Sequence, residues 1–174
     1  MENSHVRDSS SPHSVADRSC TRADAAAGNA DAQFGVGFCL AAGANPRDYA
    51  EAAEWYFKAA DQNHRLAQFN LGQMFALGQG MERNDSTAIM WIRRAANGGD
   101  AGAQFNLGDR YGRASVRGSE MDAGESRVES YKWFKLAAAQ NYRDALARSD
   151  SATLRMSRAE VIEGNRRVST FITT

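Results

Sequence analysis

Apolar and small residues in the middle of the chain recur at helical spacing. Ala67, Leu71, Met74 and Phe75 stand at i, i+4, i+7 and i+8, one face of an α-helix. A second stripe of the same kind follows, made of Ala88, Trp91, Ile92, Ala95 and Ala96. No sustained alternation of period two marks a strand, so the pattern predicts an all-α fold.

The pattern is itself repeated, and repeats of this length signal a stacked architecture. AQFGVG begins at Ala32, AQFNLG at Ala67 and AQFNLG again at Ala103, in steps of 35 and 36 residues. Trp55-Tyr56, Trp91-Ile92 and Trp133-Phe134 follow in phase, each trailed by an alanine pair (Ala59-Ala60, Ala95-Ala96, Ala137-Ala138). The last tryptophan step is 42, which leaves about six extra residues in the third unit and places them in a loop over 112–124. Each unit therefore predicts two helices, A then B. Asp48, Asn84 and Ser126 each precede a tryptophan by seven residues and are N-cap types. Ser126 with Glu129, and Asp48 with Glu51, have capping-box spacing, while Asn45-Pro46 offers a competing start for the first B helix. Gly37, Gly72 and Gly108 share one phase inside helix A. A mid-helix glycine costs about 1 kcal/mol against alanine, so three in register point to close helix–helix approach, with the alanine pairs as the matching small surface.

The organisation that follows is a polar tail over 1–13, expected to be mobile, and an N-terminal half repeat or cap over 14–29. Repeats occupy 30–64, 65–100 and 101–142, and capping helices close the chain over 143–174. Ser157 and Glu160 form a capping box that opens a last helix through about Phe171. Atypical, more polar ends are what a stack needs to stay soluble.

Charge changes the functional picture more than composition does. Lys+Arg 21 balance Asp+Glu 21 over 174 residues, which excludes the broad basic footprint of a nucleic-acid or anionic-membrane binder. The longest uncharged run, Ala32 to Pro46, is well short of the roughly 20 apolar residues of a membrane span. The opening MENSHVRDSSSPHSV has no apolar stretch of signal-peptide type, so a cytoplasmic location is expected, or a secreted or periplasmic one if a signal segment precedes this sequence. Cys20 and Cys39 are expected to be free thiols, with Cys39 buried as a small apolar residue. His5, His13 and His64 have no partners at ligand spacing, so neither a metal, a cofactor nor a histidine-based catalytic cluster is expected.

These residues resemble the Sel-1-like repeat family, a relative of the tetratricopeptide repeat. Its helix A pattern of alanine–x–alanine–x–x–x–leucine–glycine is met by Ala101, Ala103, Leu107 and Gly108, and its helix B pattern by Trp133, Phe134, Ala137 and Ala138. Ala67, Leu71, Gly72, Trp91, Ile92, Ala95 and Ala96 meet it again. The first unit keeps Ala30, Ala32, Gly37, Trp55, Tyr56, Ala59 and Ala60, with Val36 in the leucine place. MSRAEVIEG looks like the terminal helix that often closes bacterial members. The third unit departs from the pattern at Arg110, where Cys39 and Met74 stand in the others, and at Ala114, where Gly43 and Gly78 stand.

The resemblance implies a right-handed α/α solenoid and a non-enzymatic adaptor that binds a partner protein or peptide in its concave groove. By analogy with tetratricopeptide repeats, helix A residues Phe38, Asn70, Gln73, Asn106, Asp109 and Arg113 would line that groove. Phe38, Gln73 and Asp109 form one equivalent row, and specificity is expected where such rows differ. Two alternatives are a small hydrolase, as claimed for cysteine-rich relatives that bind β-lactams, and a module that stacks end to end. The cysteine-rich pattern is not matched, since Cys39 alone lies within a complete repeat.

Overall fold

The computed structural model describes residues 22–43, 45–117 and 122–172. A short helical stretch, α1 (22–26), leads into α2 (Ala30–Ala42), α3 (Pro46–Asp61), α4 (Arg65–Leu77), α5 (Asp85–Asn97), α6 (Ala101–Arg117), α7 (Ala123–Ala139), α8 (Ala145–Thr153) and α9 (Arg158–Ile172). No strand occurs among the described residues. The proposed tail over 1–13, residues 14–21 of the half repeat, and Cys20 lie outside them.

From α2 to α8 each helix packs against its neighbours in sequence, so the chain builds a stack of pairs: α2 with α3, α4 with α5, α6 with α7. Alanines at no measurable exposure (Ala59, Ala60, Ala67, Ala95, Ala96, Ala103, Ala137) bring the axes together. Two core clusters result. Tyr56, Leu71, Met74 and Trp91 anchor the first, and Ile92, Leu107, Trp133 and Leu136 the second. The adjacent residues Trp91 and Ile92 fall in different clusters, so α5 serves both.

The ends of the B helices correct several expectations. Asn84 caps α5 as expected, accepting from the Thr87 N–H at 2.9 Å. For α3 the competing start prevails: Asn45 accepts from the Arg47 N–H, and Asp48 sits in the first turn. In α7 the cap is Asp122, one turn before Ser126, and it accepts from the Glu125 N–H. Ser126 is fully buried with its hydroxyl unpartnered, and Glu129 turns to Lys132 and Arg167 instead of closing a box.

Of the loop expected over 112–124, residues 112–117 and 123–124 are helical, and 118–121 lie outside the described residues. α6 runs 17 residues against 13 in α2 and α4, and α7 begins at Ala123. The reason lies at the third-unit departure. Gly78 takes the left-handed conformation, φ +67°, that ends α4. Ala114 stands in its place and continues the helix, since a left-handed cap disfavours a Cβ. Cys39, expected to be buried, is exposed, as is Arg110.

The C-terminal cap is more elaborate than a polar end. α8 docks on α7 as an A helix would, with Ala145 and Ser149 buried. α9 then lies on α7 rather than pairing with α8. Glu160, Gly164 and Phe171 meet Arg127, Tyr131 and Trp133 in turn, so α9 runs alongside α7 in the same direction. Its capping box forms as expected: Glu160 accepts from the Ser157 N–H at 2.6 Å, and the Glu160 N–H donates to Ser157 Oγ at 3.2 Å.

Candidate functional site

Two recurrent contacts hold each A helix at a set height. Asn29, His64 and Asp100 cap α2, α4 and α6, accepting from the N–H groups of Ala32, Ala67 and Ala103 at 2.9, 3.1 and 2.7 Å. His64, the one histidine among the described residues, is thereby committed. Its Nδ1 accepts from the backbone, its Nε2 lies 3.1 Å from Asp31, and its ring stacks on Phe34 at 4.7 Å. The second contact comes from the buried glutamines of the repeated Ala-Gln-Phe. Gln33, Gln68 and Gln104 donate to the carbonyls of Ala25, Ala60 and Ala96, each eight residues earlier, at 3.1, 3.0 and 3.2 Å. These oxygens lie at helix ends, where carbonyls lack partners in their own helix.

At two places the stack leaves a recess between one A helix and the next, floored by the intervening B helix. The first recess, about 290 Å³, lies between α2 and α4 over α3. Phe38, 57% exposed, stands at its rim with Gln73, and Tyr49 and Tyr56 form the floor. Asn70 donates to the Tyr56 hydroxyl at 3.1 Å. Burial raises the Tyr56 phenol above its ordinary pKa, and the Asn70 hydrogen bond opposes that rise. The recess is uncharged.

A second cavity, about 390 Å³, occupies the equivalent place two units on, between α6 and α8 over α7. Phe134 and Ser130 line its floor, and Asp109, Arg113, Arg127, Arg148 and Arg155 its walls. Asp109 is shared: one oxygen pairs with Arg113 and the other lies 3.5 Å from Arg148. Arg148 also donates from Nε to Asp144 at 3.0 Å, which lowers the Asp144 pKa. Arg127 is held by Glu160 at 2.6 Å.

Of the six groove residues read from the sequence, Phe38, Asn70 and Gln73 meet in the first recess, and Asp109 and Arg113 in the second. Asn106 is half-buried and lines neither. Arg127, Arg148 and Arg155 went unnoticed. The repeat register would have found two of them. Arg148 stands where Asn70 and Asn106 do, and Arg155 where Leu77 and Arg113 do, one unit further on.

In-phase helix pairs, shared caps and recesses between successive A helices define an α/α repeat protein. The chain belongs to the Sel1 repeat family, whose repeat is matched at residues 30–64, 65–100 and 101–142. Members of this family commonly serve as protein–protein interaction modules. Among solved structures, the chain is similar to c5321, a protective antigen of uropathogenic Escherichia coli strains displaying an SLR fold. The TM-score is 0.77 at 25% identity, over 90% of this chain and 32% of that one. This chain thus spans about a third of that antigen's length. It is also similar to a Sel1 repeat protein from Oxalobacter formigenes, with TM-score 0.65 and 30% identity over 79% of this chain and 99% of that one. No curated protein matches.

Proposed function

We propose that the protein is a non-enzymatic adaptor that binds an extended segment of a partner protein along the face built by α2, α4, α6 and α8. One observation carries this reading. Register-equivalent recesses share their scaffold and differ in their linings: Phe38, Asn70 and Gln73 in the first become Asp109, Arg148 and Ser151 in the second. Shared residues build the stack, so the variation within the recesses is where recognition would be written. A chain laid across successive A helices would meet an aromatic and amide recess first and a charged one later. Such curved helical stacks present extended binding surfaces.

The test is selection of peptides from a displayed random library on the native protein, with affinities then measured for a Phe38→Ala/Gln73→Ala variant. Both residues are at least partly exposed, so the fold should be retained. Adaptor binding on this face requires selected peptides whose affinity falls by about tenfold or more in the double variant, the scale of losing a recognition anchor. Selected peptides that bind both proteins equally, and bind Arg155→Glu equally as well, would move the site off this face.

A further inference from the structure

We propose that the cavity between α6 and α8 takes the carboxylate side chains of an acidic partner segment. This rests on the adaptor reading and names the chemistry of one end of its site. The repeat register shows how the charge is placed. One row along the A helices reads Ala42, Leu77, Arg113, Arg155, and another reads Asn70, Asn106, Arg148. Basic side chains enter these rows in the C-terminal half alone, and Arg127 adds a further one from α7.

The hydrogen-bonding inventory then narrows the ligand. The three serines that line the cavity have committed their protons: Ser115 donates to the Gly112 carbonyl, Ser130 to that of Gly108 and Ser151 to that of Ala147, at 2.7, 2.7 and 2.8 Å. The donors left facing the cavity are guanidinium groups. Arg155 is exposed and has no ion-pair partner among the described residues, while Asp109 is divided between Arg113 and Arg148, the latter also held by Asp144 at 3.0 Å through Nε. Guanidinium forks of this kind favour an acceptor with two oxygens and no proton. The Phe134 floor and Val116 provide an apolar bed for the methylenes of the incoming side chain. Carboxylates interspersed at Asp109, Asp144 and Glu160 temper the positive field, which suits single carboxylates on a peptide and opposes a polyphosphate backbone.

Asp109 gives the proposal a signed test. It occupies two arginines that the ligand needs, so it competes with the ligand. Fluorescence anisotropy would be measured with a fluorescein-labelled glutamate-rich peptide, its glutamine twin and its phosphoserine twin. The glutamate peptide should bind, should weaken as salt rises, and should exceed its glutamine twin by about tenfold. Asp109→Asn should tighten its binding, and Arg155→Glu should weaken it by about tenfold or more, because a like charge then faces the carboxylate. Melting curves confirm that the exposed Arg155 variant is folded, and Arg155→Lys should retain part of the affinity.

Equal binding of the glutamine twin, binding of the phosphoserine twin alone, or looser binding in Asp109→Asn each overturns the proposal. If library peptides bind the A-helix face, carry no acidic residues and ignore Arg155→Glu, this inference fails and the adaptor reading stands. If no peptide depends on that face, the adaptor reading fails with it.

Discussion

A Cβ added at Gly72 would lie 2.6 Å from Cγ1 of Ile92 and 3.0 Å from the carbonyl oxygen of Ala88. α4 therefore rests on Ile92 and the backbone of α5 with no room for a side chain at position 72. The same relation recurs at Gly37 against Tyr56, 2.9 Å, and at Gly108 against Phe134, 2.8 Å. In every unit the helix A glycine meets the residue after the helix B tryptophan. This contact explains why the stack tolerates a poor helix former three times in register.

Gly72→Ala should destabilise the protein although alanine is the better helix former. Overpacking costs about 1–3 kcal/mol, which outweighs a propensity gain of about 1 kcal/mol. Gly112→Ala is the control, because its added Cβ would meet a single atom, Ser130 Oγ at 3.1 Å. Urea unfolding of both variants decides the matter. A Gly72→Ala protein more stable than its parent would show that the two helices can separate at no cost.

Gln104→Ala should unpin α6 from the end of α5. The side chain donates to the Ala96 carbonyl at 3.2 Å and accepts from Gln140 at 3.0 Å. Its removal takes one of two donors from the Ala96 carbonyl, which keeps the Gly99 N–H at 3.0 Å, at a cost of about 0.5–1.5 kcal/mol. Amide exchange in the first turn of α6 should quicken more than exchange in α4. Uniform protection across both helices would mean that the glutamine is dispensable.

The stack was legible because each unit repeats its small residues, and Gly37, Gly72 and Gly108 do mark close approach, though against Tyr56, Ile92 and Phe134 and not against the alanine pairs. Helix ends were less so. Ser126 has cap chemistry and the right distance from Trp133, yet Asp122 caps α7, because sequence offers two candidates a turn apart and only packing selects between them. The loop expected over 112–124 starts later than its glycine and serine content implies, since Ala114 stands where Gly78 stops α4 and α6 continues to Arg117. The basic half of the site was hidden by the degeneracy of α8. That helix keeps Ala145 but carries Ser149 where Leu71 and Leu107 stand, so its arginines were not seen in register. No feature of the sequence marked the glutamines as ties, because their acceptors are backbone carbonyls.

Acid should loosen α9 before the rest of the stack. Arg167 links Glu163 on its own helix to Glu125 and Glu129 on α7, at 2.8, 2.5 and 2.8 Å. Glu160 ties α9 to Arg127 of α7, and its carboxyl is held below the usual 4.5 by the Ser157 N–H and then by Arg127. A lowered folded-state value means that this contribution is present above pH 4.5 and is lost as pH falls through the folded value. Phe171 packs edge-on to Trp133 at 5.7 Å, so tryptophan fluorescence reports the release. Arg167→Ala should show the released signal already at neutral pH. A fluorescence change that tracks global unfolding in both proteins would remove α9 from consideration as a separate unit.

Asp100→Asn should leave the protein at least as stable at neutral pH. Asp100 caps α6 through the Ala103 N–H but is buried, 6% exposed. Burial is the main influence on its carboxyl and raises the pKa, against the lowering effects of the Ala103 N–H and Arg65. A raised folded-state value means that the folded protein holds the proton more tightly than the unfolded chain does. The associated stability is full below the unfolded value of 3.8 and is lost as pH climbs through the folded value. Asparagine caps as well as aspartate and carries no charge to bury, and Asn29 already does this for α2. The variant should therefore gain on its parent as pH rises from 3 to 7, with its cap hydrogen bond intact. Melting temperatures at the two pH values test the sign. A variant weaker than its parent at pH 7 by about 1 kcal/mol or more would show that attraction to Arg65 and the helix N-terminus outweighs the cost of burial.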